Sequence, residues 1–516
     1  MRRLLNRVRL IHLSAGAAII LFLWMIARFW HPAFGFTALL QFDESHEAGA
    51  ITEFREYPVY VHPGFAPYDG LQYAQIAFHP LLDPAALRPA VDDLAYRGRR
   101  ILLPANAWIL AAGRPSLIAG IYSGLNIACW LVLALVLWRA LPASDWRGFL
   151  AWGGVLFSAG ALASVRLALI DLPALLLIAI ALVRFERGKP RTAAGWLAAA
   201  ALTRETSLLA TGIFIEKPLK TGPAKSVFCI CAAAAPLLLW AAYVRWRVGA
   251  VDQGGTGNLD WPVAGLVGKW HECLRAVTGS PHSPFAWLTL CTLAGLTAQI
   301  VFIAIRPRSG DAWWRVGAAF AVLALVLGPA VWEGDRMSAA RVVLPLTLAC
   351  NLLAARTRAP VAWLLALNLT VPGGFAELKA PNLPAGAAHG SVLAAVRPRQ
   401  GWYGYESNSH HRWGWSGARA KLEVRTWPQA APVKVLLTAK LQGITPRRVR
   451  VLREGRELWA GEVSPALTGI ALLLEIAGGS ATLDFESDAP LVAEGPEPGA
   501  RKLGFAIYDT KLQILL

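Results

Sequence analysis

Charge is scarce in this chain. Only 16% of its 516 residues are Asp, Glu, Lys or Arg, against 55% hydrophobic residues. Cysteine is sparser still: six residues, at 129, 229, 231, 273, 291 and 350. Their spacings fit neither a zinc site nor a disulfide framework, which excludes a small domain stapled by either. Cys229 and Cys231 lie inside an apolar run and read as small hydrophobes. Acidic residues are short as well, 33 against 50 basic ones, for a formal net charge of +17. No internal repeat stands out. No small-residue cleavage site follows the basic, then apolar N-terminus, which exits through Ala27, Arg28, Phe29 and Trp30. It reads as a retained first membrane span rather than a signal peptide.

Apolar runs of roughly 20 residues, the length needed to cross a bilayer, recur from near residue 10 to near residue 372 and stop beyond residue 390. The excess of arginine sits in short loops between these runs, as positive-inside topology requires. That pattern argues against a nucleic-acid partner. Nine crossings are expected, at about 10–30, 116–139, 148–165, 168–185, 226–244, 284–305, 315–332, 342–355 and 359–372, the short final ones, near 14 residues each, tilted or only partly crossing. The run 192–216 has Arg204 and Glu205 in its middle, so it is expected to enter, break near Arg204 and return. Charges at that depth should face protein or a wet cavity. External loops are expected at about 31–114 and 245–283, the first holding short interfacial helices.

The tail differs. Stretches such as Lys421–Thr426, Val433–Thr438, Arg448–Leu452, Ile470–Glu475 and Ala481–Phe485 alternate or carry β-branched residues, separated by Gly, Pro and Asn. That is the pattern of an antiparallel β-sandwich. The expected fold class is a polytopic α-helical membrane protein (1–390) with a C-terminal all-β sandwich domain (391–516). Nine crossings place the tail outside the cytoplasm.

Candidate functional residues gather on the external side. Tyr68-Asp69-Gly70 is followed by Tyr73, Gln75 and His79. An acid beside a glycine and aromatics at a membrane surface suits reception of a polar group from a lipid-anchored partner. The glycine permits a tight turn or close approach, and Tyr68, Tyr73 and His79 are candidates for contacting the substrate. The same residues also fit an ordinary Asp-Gly turn with interfacial tyrosines. Asp43, Glu44, His46 and Glu47 form an earlier acidic cluster, able to orient a base or hold a divalent cation, Mg or Mn, or simply a solvated loop. Arg97, Arg99 and Arg100 break the positive-inside trend, and a planar guanidinium suits phosphate. Arg204 with Glu205, and Arg336 with Arg341, are further phosphate-binding candidates. His410 and His411, beside Trp413 and Trp415, lack a third ligand for a metal.

These residues together resemble the GT-C membrane glycosyltransferases. The resemblance rests on Tyr68-Asp69-Gly70 through Ala77, Arg99-Arg100-Ile101-Leu102-Leu103-Pro104, and Leu202-Thr203-Arg204-Glu205-Thr206. In the tail, Gly401-Trp402-Tyr403-Gly404-Tyr405-Glu406 with Arg412-Trp413 and Trp415 resembles the opening of β-sandwich domains fused to some bacterial members. So do Ser487-Asp488 and Leu503-Gly504-Phe505-Ala506-Ile507-Tyr508. The resemblance implies transfer of a sugar from a polyprenyl-phosphate or diphosphate carrier to a glycan, lipid or protein acceptor, on the periplasmic side of a bacterial inner membrane. It also implies an essential acid in the first external loop. Asp69 matches that acid, as general base or metal ligand, with Asp43 and Glu44 as the other carboxylates. No Asp-x-Asp motif supports a metal. Two other functions fit the same layout: a transporter or flippase of lipid-linked sugars, and a membrane-anchored carbohydrate-binding protein.

Overall fold

The computed structural model describes residues 2–63, 68–141, 145–215, 222–250, 257–333, 338–428, 432–497 and 499–515, with side chains from residue 8. Among these, four helices are long and apolar enough to cross a membrane: Val8–Ala27, Pro115–Ala140, Pro223–Arg247 and Pro284–Ile305. A fifth candidate is the pair Trp146–Leu156 and Ala159–Arg166, bent by 42°. Ser158 makes that bend by capping the second helix, its hydroxyl accepting from the Ala161 N–H.

Among the described residues, four or five of the nine expected spans thus reach the length of a crossing. The expected spans near 315–332, 342–355 and 359–372 appear as Ala312–Val326, Leu344–Arg356 and the short helices between 361 and 377. The expected span at 168–185 appears as the 16-residue helix Asp171–Glu186. At 1.5 Å per residue such helices are about 20–24 Å long, short of a hydrocarbon core of about 30 Å. Gly, Pro and polar residues stop them early: Gly328 and Pro329 after Val326, and the Thr357–Pro360 stretch after Arg356. Their buried faces pack together, with Trp130, Trp152 and Trp313 wholly enclosed.

The break expected in 192–216 is present. Helix Pro190–Thr203 ends at Arg204, which is extended (φ −154°, ψ 124°), and a 3-10 helix Glu205–Phe214 follows. The region 31–114 folds into short helices, among them Asp69–Ile76, Leu94–Arg97 and Leu102–Leu110.

From residue 386 the chain is β-structure. One antiparallel sheet has the order Arg456–Val463, Arg447–Arg453, Ser480–Ser487, Arg419–Trp427, Val392–Pro398, Gly386–His389. A second runs Thr468–Ile476, Val433–Gly443, Phe505–Leu515, Arg412–Ser416, Trp402–Ser407. Burial alternates along strands such as Val433–Gly443, so every second side chain points inward. Leu422, Val424 and Phe485 of the first sheet and Val435, Leu437 and Phe505 of the second belong to one apolar core.

This β-domain is fastened to the 31–114 region. Glu47 receives two hydrogen bonds from Arg397, of 2.5 and 2.7 Å, and one of 3.2 Å from Arg399. The Arg425 guanidinium donates to the Arg55 carbonyl at 2.7 Å. His31 is buried (3% exposed). Its Nε2 lies 3.2 Å from the Pro384 carbonyl, and its Nδ1 accepts from the Ala33 and Phe34 amides. Burial pushes its pKa down to about 4, against the Pro384 carbonyl contact and with help from Arg412. The neutral ring holds this joint.

Burial alone would raise the Glu47 pKa, but the Arg397 and Arg399 guanidiniums hold it below its usual 4.5. Its stabilisation is thus fully present above that value and is lost as pH falls through the lowered one. Glu47→Gln is expected to cost about 2 kcal/mol at neutral pH, as charged hydrogen bonds do. In thermal unfolding, the gap between wild type and variant should hold from neutral pH down to about 4.5 and close below it. A gap independent of pH would remove the ion pairing from the joint.

Candidate active site

Helix Asp69–Ile76 begins at the acid itself: Tyr68 is extended and Asp69 is the first helical residue. A carboxylate is favoured there by the helix dipole. Gly70, the next residue, packs against the turn between Arg166 and Asp171. A Cβ on Gly70 would lie 1.9 Å from the Leu167 carbonyl oxygen. Close approach, not a turn, is the use made of this glycine.

Asp69 borders a cavity of about 570 Å³. Arg97, Arg100, Arg204 and Arg341 line it too, together with Tyr68, Tyr96, Asp92 and His46. The arginines arrive from four places in the chain: helix Leu94–Arg97 and the turn after it, the break after Thr203, and helix Ser338–Val342. Each meets an acid. Arg97 Nη2 is 2.9 Å from Asp69 and 2.8 Å from Asp92. Arg100 Nε donates to Glu205 at 2.8 Å, and its other nitrogens donate to the Tyr73 and Tyr96 hydroxyls at 2.7 and 2.6 Å. Asp171 accepts from both Arg204 and Arg341, the latter at 3.3 Å. Arg341 also donates to the Tyr68 hydroxyl at 2.5 Å and to Ser338 at 2.8 Å. Its Nε is buried and has no partner among the described residues.

The Asp69 side chain keeps 35% of its surface open. Burial would raise its pKa, but Arg97, Arg341 and Arg100 outweigh that and hold the carboxyl below its usual 3.8. It is an anion at neutral pH. The cavity therefore presents open carboxylates, Asp69 and Asp92, among four guanidiniums, a setting able to take a phosphate group and a hydroxyl side by side.

The candidates from the sequence divide. Tyr68, Asp69, Arg100, Arg204 and Arg341 line the cavity. Tyr73 (1% exposed) and Glu205 stand directly behind, both bonded to Arg100. Asp43 reaches the cavity only through His46, whose Nδ1 is 2.9 Å from Asp43 Oδ1. Glu44 faces a different, mostly apolar pocket against the β-domain. His79 pairs with Glu53 at 3.2 Å, away from the cavity. Arg336 lies outside the described residues. Among the described residues no group of three or more His, Cys, Asp or Glu is placed to hold a metal ion. Asp171, Asp92 and Tyr96 were not singled out from the sequence. Asp171 carries the signal already applied to Arg204, an ionisable residue inside an apolar hairpin.

The chain matches no protein-family model and no curated protein. Among solved structures, the arabinosyltransferase EmbB of Mycobacterium smegmatis matches over 81% of this chain at 12% identity, with a TM-score of 0.20. The chain spans 60% of the length of that protein. A likeness that slight carries no argument, and the functional reading rests on the cavity itself.

Asp171 is 3% exposed and answers two arginines. Asp171→Asn should leave both guanidiniums short of a counter-charge and lower the unfolding free energy by about 3 kcal/mol. Asp92→Asn, at a side chain 51% exposed, should cost less than about 1 kcal/mol. Chemical denaturation in detergent compares them, and equal losses would show that Asp171 does not anchor the arginines.

Proposed function

We propose that this protein is a membrane glycosyltransferase that moves a sugar from a polyprenyl-phosphate-linked donor to an acceptor hydroxyl. On this reading it works at the periplasmic face of a bacterial inner membrane, with the β-domain, a sandwich, on that side. The observation that carries it is Asp69, an open anionic carboxylate beside four convergent arginines in one polar cavity.

The chemistry follows from the charges. The bond between the anomeric carbon and the phosphate oxygen breaks, and the electron pair leaves with the phosphate. Negative charge thus develops where Arg341, Arg204 and Arg100 converge, and such prearranged positive charge favours the transition state. Arg341 Nε offers a buried donor still unused. The acceptor oxygen forms the new bond to the anomeric carbon, and its proton passes to Asp69. The arginines make Asp69 a weak base. A weak base suffices when the sugar carbon becomes strongly positive before the acceptor attacks, because the bound hydroxyl is then far more acidic. Phosphate is a good leaving group, so no second carboxylic acid is needed, in contrast to glycoside hydrolysis. Two carboxylates of the cavity, Asp69 and Asp92, are bridged by the Arg97 guanidinium, an arrangement that does not fit a divalent cation, Mg or Mn.

The test is transfer from a panel of radiolabelled polyprenyl-linked sugars in membranes. Asp69→Asn should retain the fold and lose transfer by about a hundredfold or more, the scale of general-base catalysis. Arg341→Lys, which keeps charge but loses the planar fork, should lose about tenfold. Transfer by Asp69→Asn at the wild-type rate would sink the assignment. Carrier translocation in sealed vesicles without transfer would make the protein a flippase instead.

A further inference from the structure

A second cavity, of about 710 Å³, lies where the β-domain meets the end of the first apolar helix. It is separate from the site above and shares no residue with it. Arg28, Arg412, Lys440 and Lys511 supply four positive charges to its wall, against one acid, Asp509. His410 and His411 line it as well.

Its construction is specific. Between Tyr508 and Lys511 the strand Phe505–Leu515 bulges against strand Val433–Gly443, and Asp509 sits in the bulge with a left-handed backbone, φ 47°. Bulges re-aim side chains. The Asp509 carboxylate is then taken up: it pairs with His411 at 2.7 Å, accepts from the Arg412 amide at 3.2 Å and lies 3.8 Å from Lys440. The Asn408 side chain accepts from the His410 and His411 amides at 2.9 and 2.7 Å, fixing the loop. Lys511 and Arg28 have no carboxylate partner among the described residues.

The location fixes the ligand class. Arg28 is one residue past the candidate span Val8–Ala27. Trp24 and Trp30 beside it are 58% and 54% exposed, and Arg28 lies 5.4 Å from the Trp24 ring centre. Exposed tryptophans and an arginine at the end of an apolar helix mark the headgroup level of a bilayer. A cavity at that level with a net excess of three positive charges, four cations against Asp509, suits an anionic headgroup. A neutral sugar is less suited, since the wall offers only the half-buried Tyr405 as an aromatic platform besides the histidines.

We infer that this cavity binds the phosphodiester headgroup of an anionic phospholipid, docking the β-domain on the membrane surface. Full-length protein in nonionic detergent is titrated calorimetrically with dihexanoyl phosphatidylglycerol, dihexanoyl phosphatidylcholine, inorganic phosphate and trigalacturonate. Phosphatidylglycerol should bind in preference to the other three. Lys440→Gln with Lys511→Gln, both on exposed strand positions, should weaken it about 25-fold, near fivefold for each cation at a membrane surface. Asp509→Asn keeps an acceptor oxygen for the Arg412 amide and should tighten it about fivefold. The opposite signs separate binding from misfolding. Unchanged affinity in the lysine double variant, or weaker binding in Asp509→Asn, would overturn the inference. Equal or tighter binding of inorganic phosphate would reassign the site to a free anion, and tighter binding of trigalacturonate to an acidic glycan.

Discussion

Each arginine at the main cavity must be answered by a carboxylate, because an uncompensated guanidinium taken out of water costs several kcal/mol. Arg97, Arg100, Arg204 and Arg341 are matched by Asp69, Asp92, Glu205 and Asp171, four against four. Much of the local architecture follows. The chain breaks after Thr203 so that Arg204 can turn to Asp171 while Glu205 turns to Arg100. Helix Asp171–Glu186 starts with its acid buried, and the Asp69 helix approaches the same turn through Gly70.

Near neutrality has a chemical corollary. An incoming phosphate must compete with carboxylates that already occupy the guanidiniums. Positions where donors exceed acceptors are then the natural landing points. Arg341 is one, with an unused Nε. Arg97, which faces two acids, offers an exchange instead, since those acids are the most open carboxylates of the network, at 35% and 51%. Binding energy there is realised by exchange of partners, which ties affinity to how readily Asp69 and Asp92 can shift.

Parts of this were legible in the sequence for one reason: a charge inside an apolar run has to be solved by burial with a partner. That rule finds Arg204 and Glu205, a glycine beside an acid finds Asp69, and Arg341 is found as an arginine opening an apolar run. The rule was not applied to Asp171, although the same reasoning reaches it. Proximity along the chain misled where loop paths decide. Asp43, Glu44 and His79 lie within the same 31–114 region as Asp69, yet the region folds on itself and sends Glu44 toward the β-strands and His79 toward Glu53. The β-strands were readable from period-2 burial, whereas the count of spans was not, because hydropathy records apolar length without the bends at Ser158 and the stops at Gly328 and Thr357.

Among the contacts that hold the region carrying Asp69 are Gly70 on the Leu167 carbonyl, Arg100 on Glu205, and His31 and Glu47 on residues 384–399. Those last contacts belong to segments translated long after the region itself. During synthesis this edge of the region thus stays without its last fasteners until the β-strands have been made and folded, while residues 166–341 already hold Tyr68, Leu81, Arg88, Gly98 and Arg100. The lining of the cavity itself ends at Val342, so the β-strands brace one edge of the region without supplying a wall of the site.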